Sequence, residues 1–355
     1  MSPIKDLRLT YRLLNEEGTF SDGDIIIGSV VFNLTKDTKM KSLFVKIKGD
    51  AHVQWSEGDG DSTTTYKAHR RYFKIKEFLI GENDKGTVLS KGLHDIKFFL
   101  PIPNGDLPSS FKGKHGNIIY MLEAKISRSW RWPSKVKDEI QFVSRFFPCL
   151  DQVMHSQTGS VNKETGVFSK GQIQMTATVE KKVCSPGDTI SIVAKICNSS
   201  SKKVKPKFSL LQKTVYRVND STKVCEKVLF KMVGDILTPN SENTATCQLQ
   251  VPADAVYTLH NCDILSIEYF IKVYVDIKFA VDPKVLFPLV VVPHKFTTIR
   301  PEEAAEVHPQ AAAWASNFLP LTTLVGLRST DSGATYGFSA GPSTSSAGQY
   351  PDTHF

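Results

Sequence analysis

The sequence predicts an all-β protein: two antiparallel β-sandwich domains in tandem, followed by a disordered C-terminal tail. Three observations carry that prediction. Short apolar runs alternate with polar residues through most of the chain, landmarks of the first half recur in the second, and the pattern stops near residue 299. The 355 residues fit two domains at roughly 100–200 residues each. With 41% hydrophobic and 23% charged residues, the composition excludes a chain disordered from end to end. The longest apolar run, 285–292, is interrupted by Pro288 and falls well short of the roughly 20 residues a spanning helix needs. The first residues, Met1-Ser-Pro-Ile-Lys-Asp-Leu-Arg, lack the apolar stretch of a signal peptide, so the expected compartment is the cytosol.

The elements follow in order. A first strand holds Arg8, Tyr11 and Arg12. Runs at 25–32, 43–47, 96–100, 118–126 and 139–146 supply the first half, and runs at 173–179, 190–196, 208–218, 247–251, 264–275 and 285–292 the second. They are rich in Val, Ile, Phe and Tyr and show no sustained spacing of three, four and seven, which reads as strands rather than helices. Many short strands bounded by turn residues imply sandwiches or barrels. The polar, glycine-bearing stretch 152–170 reads as a linker or connecting loop. Beyond 299 the chain is rich in Ala, Ser, Thr, Gly and Pro, the composition of a disordered segment, with a marginal short helix over 301–306. The expected organisation is a first domain at 1–150, a connector at 151–169, a second domain at 170–299 and a tail at 300–355.

The repeat is specific. Ser21-Asp-Gly-Asp recurs as Ser185-Pro-Gly-Asp, each opening an alternating strand, and Lys41 and Phe44 recur at the same offset as Lys205 and Phe208. Pro103 precedes Tyr120 by 17 residues, and Pro252 precedes Tyr269 by the same 17. The Gly-Asp step turns the chain sharply before a strand and needs no chemistry.

Charge is uneven. The tail from 301 carries Glu302, Glu303, Glu306, Asp331 and Asp352 against Arg328, a net −4 within a total of +8, so the preceding residues hold +12. A basic body fits an anionic partner. The six cysteines form no C-x-x-C pair and have no histidine cluster beside them, so no zinc site is expected and the thiols read as reduced and buried on strands. The loop Glu57-Gly-Asp-Gly-Asp lacks the later glutamate of a calcium loop and reads as a solvated turn. No nucleophile elbow, phosphate-binding loop, dinucleotide fingerprint or H-E-x-x-H is present, and His94-Asp95 and His115 stand isolated. The expectation is a non-enzyme with no catalytic residue, cofactor or metal. A nucleic-acid partner is not expected either, since zinc ligands, a recognition helix and RNP-type aromatics are all missing.

Basic clusters are the remaining candidates. Arg70, Arg71, Lys74 and Lys76 lie in one run, and Arg71, Lys74 and Lys76 need a bulge to share a strand face. Arg128, Arg131, Lys135 and Lys137 surround Trp130 and Trp132, and Lys202, Lys203, Lys205 and Lys207 open a later strand. Each reads either as a solvated face protecting a strand or as a surface for phosphorylated or acidic segments or anionic lipid. Trp130 and Trp132 are expected to share one face and to pack in a core or cleft, with an exposed membrane or peptide contact as the alternative reading.

The stretch Leu107-Pro108-Ser-Ser-Phe111-Lys-Gly113-Lys-His115-Gly116-Asn-Ile-Ile-Tyr120, followed by Ala124-Lys-Ile and Arg128-Ser-Trp, resembles the N-domain signature of α-arrestins, the arrestin domain-containing proteins, whose commoner form reads LPxSFEGxHGxIxYxxxA…RPW. The second half, with Ser185-Pro-Gly187-Asp188, Ile267-Glu-Tyr269-Phe-Ile-Lys-Val-Tyr-Val and Phe287-Pro-Leu-Val-Val-Val-Pro, is similar to the arrestin C-domain. The resemblance spans about 4–292. It implies two arrestin-like sandwiches acting as a cytosolic adaptor that binds cytoplasmic segments of membrane receptors or transporters and directs their endocytosis, sorting or ubiquitin-dependent trafficking at the inner face of the plasma membrane and on endosomes. Peripheral contact with anionic membrane belongs to the same expectation. It also implies basic phosphate contacts from the first strand, where Arg8 and Arg12 stand; the candidate cargo or phosphate set is these two with Arg70, Arg71, Lys74, Arg131, Lys202 and Lys203. Relatives recruit HECT-type ubiquitin ligases through PPxY motifs read as polyproline helices, whereas this sequence has no Pro-Pro pair and no lysine in its tail. The alternative reading is a retromer-type trafficking scaffold of the same fold without ligase recruitment.

Overall fold

The computed structural model describes residues 2–58, 62–147, 155–165, 171–278 and 280–297. The expected tail with its short helix, Cys149 and residues 59–61 of the acidic loop lie outside the described residues. The first half contains β1 (Ile4–Tyr11), β2 (Thr19–Phe20), β3 (Ile25–Leu34), β4 (Thr38–Met40), β5 (Ser42–Glu57), β6 (Thr64–Ile80), β7 (Thr87–Leu89), β8 (Gly92–Pro101), β9 (Phe111–Lys112), β10 (Gly116–Arg128) and β11 (Arg131–Phe142). The second half contains β12 (Gln157–Thr165), β13 (Gly171–Val179), β14 (Val183–Cys184), β15 (Thr189–Asn198), β16 (Val204–Val218), β17 (Ser221–Val233), β18 (Ser241–Gln250), β19 (Leu265–Ile277), β20 (Lys284–Val291) and the single helical turn α1 (His294–Thr297).

Each half is a sandwich. A sheet ordered β1-β3-β8 faces one ordered β2-β11-β10-β5-β6, and in the second half β12-β13-β15-β18 faces β14-β20-β19-β16-β17. The strands alternate as a half-buried sheet requires. On β5, Leu43, Val45, Ile47, Ala51 and Val53 point into the core with Ile118, Tyr120, Leu122, Ala124 and Ile126 of β10, against Ile26, Val30, Phe32, Phe98 and Leu100 of the facing sheet. Burying one such large side chain contributes roughly 1.5–3 kcal/mol, so these alternating rows hold the two layers together.

The repeat holds at atomic detail. The Asp24 carboxylate accepts from the Ser21 N–H at 2.7 Å, and Asp188 accepts from the Ser185 N–H at 3.0 Å. Gly23 and Gly187 both take positive φ, 78° and 88°, which only glycine adopts without strain. The Tyr120 hydroxyl donates to the Pro108 carbonyl at 2.7 Å, and Tyr269 donates to Val256 at 2.6 Å. The two parallel pairings, β2 with β11 and β14 with β20, also correspond. The expected match of Phe44 with Phe208 is off by one residue. Tyr120 lies opposite Gly49 and Tyr269 opposite Gln212, which sets Phe208 against Val45; Phe208 is a core side chain, whereas Phe44 faces outward.

Two further expectations change. The stretch assigned to the connector contains β12, an edge strand paired with β13 along its whole length; its polar sequence hid it, because an edge strand need not alternate toward a core. The tryptophans are not in a core or cleft. Trp130 is 101% and Trp132 92% exposed, and Trp130 sits in the turn before β11, outside the strand alternation that would have put both on one face. Cys184, Cys247 and Cys262 are buried and Cys197 and Cys225 half-buried, all as free thiols.

Candidate functional site

The outward face of β11-β10-β5-β6 is a basic surface assembled from four strands. The register sets Lys137, Glu123, Lys46 and Lys76 in one row, Lys135, Lys125, Phe44 and Phe78 in the next, and Glu139, Met121, Lys48 and Lys74 in a third. Glu123 is held by Lys46 at 3.2 Å and Lys137 at 3.7 Å, and Glu139 by Lys112 at 2.9 Å. Lys74, Lys125 and Lys135 have no acidic partner among the described residues. The Lys76 ammonium lies between two rings, 4.2 Å from the Phe44 centroid and 3.8 Å from that of Phe78, which holds the cation on the sheet and keeps its far side open. The bulge that a shared face requires is present: the pairing shifts between Gly49 and Asp50, leaving Tyr72 extra, and this brings Arg71, Lys74 and Lys76 onto one face.

Asp50 is, with Glu123, one of two buried acids of this face among the described residues. Its oxygens accept from Lys48 Nζ at 2.6 Å, from Arg71 Nε at 2.8 Å and pair with His69 Nε2 at 3.0 Å. Burial alone pushes the Asp50 carboxyl up, but the hydrogen bonds from Arg71, Lys48 and His69 outweigh it and hold the group well below the usual carboxylate range. His52 stacks on His69 at 4.3 Å, and the Asp50, His52 and His69 ligand atoms lie within 4.8 Å of one another. That constellation does not suit a metal ion: both Asp50 oxygens are engaged, and Lys48 and Arg71 would repel a divalent cation. It reads as an ionic clamp that fixes Arg71 and Lys48 on the face.

The signature residues build the junction between the sandwiches. A Cβ on Gly113 would lie 2.6 Å from the Tyr216 hydroxyl, and one on Gly116 would lie 2.7 Å from the His52 carbonyl and 3.2 Å from Leu265. The His115 ring meets Tyr216 edge-on at 5.4 Å. Leu107, Pro108 and Phe111 are buried beside Tyr120, whose hydroxyl ties the Pro108 carbonyl. Glu57 with Lys223 at 2.8 Å, Asp106 with Asn261 at 2.8 Å, and Phe147 with Phe296 of α1 at 5.2 Å complete the junction. Gly187, Asp188 and Tyr269 serve turn and corner within the second sandwich.

The basic residues singled out from the sequence fall into separate places. Arg71 and Lys74 are on the basic face; Arg70, on the opposite alternation, reaches Asp263 of the second sandwich at 4.0 Å. Arg8 and Arg12 are exposed at β1, in the other sheet. Arg131 sits at the β10–β11 turn, at the end of the sheet remote from the junction. Lys202 and Lys203 join Lys205, Lys278, Ile236 and Asp276 around a recess of about 490 Å³ in the second sandwich. Sequence reading missed Lys46, Lys48, Asp50 and Lys125 as parts of the face. The signal was available in Lys46-Ile-Lys48 and Lys74-Ile-Lys76, two alternating strands that present lysines outward.

Residues 9–146 match the family model described as arrestin (or S-antigen), N-terminal domain, and residues 169–296 match its C-terminal domain. The chain is 24% identical over 330 residues to arrestin domain-containing protein 4 of Homo sapiens, covering 89% of this chain and 78% of that protein. The Mus musculus form is 23% identical over 331 residues, covering 89% and 79%. Thioredoxin-interacting protein of Homo sapiens is 24% identical over 324 residues, covering 90% and 82%.

Proposed function

The chain belongs to the α-arrestin family, and on that premise we propose that it is a non-enzymatic adaptor whose first sandwich receives acidic or phosphorylated cytoplasmic segments of membrane receptors or transporters. The observation that carries the reading is the basic face: cations from β5, β6, β10 and β11 lie in register, while its few acids are already engaged by neighbouring lysines and by Arg71. Such a surface attracts an acidic chain over a distance near the Debye length and holds phosphate through charge-assisted bonds. The adaptor then works at the inner face of the plasma membrane and on endosomes, directing its cargo to endocytosis or sorting. Without a Pro-Pro pair in the sequence, a HECT-type ligase would reach the cargo through a second adaptor rather than through a PPxY motif of this chain.

The name of the thioredoxin-interacting relative suggests a thiol-dependent role, for which the buried Cys184 and Cys247 are poorly suited. Burial pushes Cys184 up to about 12 and Cys247 up to about 11, leaving little thiolate to attack a disulfide. Proximity labelling in cells tests the adaptor reading, with the full chain compared against a Lys74→Glu/Lys76→Glu variant. Receptors, transporters and endocytic proteins should be enriched by the wild type and lost with the variant. A catch of nuclear or RNA-binding proteins alone, or one the variant leaves unchanged, contradicts the reading.

A further inference from the structure

The hairpin between β10 and β11 breaks three local rules at once. Its turn places Trp130 at φ 55°, a left-handed conformation that is a genuine outlier for a bulky side chain; the two-residue turn of the β16–β17 hairpin carries its positive φ on Asn219, a residue type that tolerates it. Trp130 and Trp132 expose 101% and 92% of their surface, although tryptophan is a side chain that proteins bury when they can. The register also sets Arg128 opposite Arg131 and Lys125 opposite Lys135, like charges across a ladder that repel each other. From residue 125 to 137 the chain contains no acid, and none of Lys125, Arg128, Arg131 and Lys135 has an acidic partner among the described residues.

Strain, exposed indoles and cations without acidic partners at one hairpin share one explanation. We infer that the β10–β11 hairpin docks on an anionic phospholipid bilayer, Trp130 and Trp132 entering the headgroup–acyl boundary and Arg131 and Lys135 pairing with lipid phosphates. Indoles settle at that boundary because their bodies are apolar and their N–H is polar, and each cation near a negative bilayer adds about 1 kcal/mol, roughly fivefold in affinity. Two fully exposed indoles beside four cations and no acid are the combination that an anionic bilayer interface selects. The positive-φ turn holds the Trp130 ring out of the sheet, the orientation insertion needs. This inference does not rest on the cargo reading: a failure of vesicle binding leaves peptide binding by the basic face untouched.

Co-sedimentation of the full chain with vesicles tests it, using phosphatidylcholine alone and phosphatidylcholine with about 30% phosphatidylserine, a content that gives the surface a negative potential. Wild-type protein should bind the anionic vesicles, and its tryptophan fluorescence should be quenched by lipids brominated in the acyl chain. Trp130→Ser/Trp132→Ser should lose at least about tenfold in partitioning while keeping its thermal midpoint, and Arg131→Ala/Lys135→Ala should lose about tenfold or more in a salt-dependent way. Unchanged vesicle binding by the tryptophan variant overturns the inference. So does quenching that survives in it, which would assign insertion to Trp314. A tryptophan variant that loses an acidic peptide but not vesicles would assign the tip to a protein partner.

Discussion

Trp130 pays for its position in backbone strain and regains nothing from packing, because its ring touches solvent on all sides. Trp130→Asn should therefore stabilise the protein by about 1 kcal/mol, the cost of left-handed backbone for an ordinary residue, read as a higher thermal midpoint; a lower midpoint would mean that the indole packs after all. His260 makes the opposite kind of residue-scale prediction. Both its ring nitrogens are shielded from water with no partner among the described residues, beside Phe146 at 5.5 Å, and burial pushes its pKa down to about 4. Because the folded value lies below the unfolded 6.5, the neutral ring's contribution is whole above pH 6.5. It is lost as pH falls toward 4, about 3 kcal/mol in all. Urea unfolding at pH 7.5 and 4.5 should show this loss, and His260→Phe should remove most of it; an unchanged pH dependence in the variant would place the effect elsewhere. Neither the backbone strain at Trp130 nor the burial of His260 was legible in the sequence. Trp130 and Trp132 look like core residues by type, and an isolated histidine shows no sign of what surrounds it.

Strands were the most legible level. Alternating Val, Ile, Phe and Tyr located β3, β5, β8, β10, β13, β15, β16, β18, β19 and β20, because one buried face forces period two on the sequence. β12 and β17 escaped because edge strands with polar or mixed faces carry no such constraint. The Phe44–Phe208 register also slipped, since a one-residue error in a strand exchanges the faces and only pairing partners reveal it. The paired corners give a prediction at this scale. Tyr120→Phe and Tyr269→Phe each leave a carbonyl without its buried donor and should cost about 1–2 kcal/mol. The two should add in the double variant, because the corners lie in different sandwiches. Coupling well above the error of denaturant titration would show that the sandwiches transmit strain. Gly116→Ala tests the junction: the new Cβ would meet the His52 carbonyl and should destabilise by about 1–3 kcal/mol, whereas a neutral substitution would mean that the backbones part easily there.

At the scale of the whole molecule, the sequence showed a basic body but not where the charge gathers. Lys46 and Lys48, Lys74 and Lys76, and Lys125 and Lys135 come from four separate strands, and only the sheet order makes them one surface. The α-arrestin signature was legible as a motif, and its glycines and tyrosine shape the junction and a corner. The proposed function has the basic face bind acidic or phosphorylated cargo. Calorimetric titration of the full chain with a peptide carrying several phosphoserines, alongside its unphosphorylated form, tests it most directly. The phosphorylated peptide should bind more tightly, weaken as salt screens the contact, and lose at least about tenfold with Lys46→Glu/Lys74→Glu. Equal binding of both peptides, or a charge-reversed protein that binds as the wild type does, would contradict it.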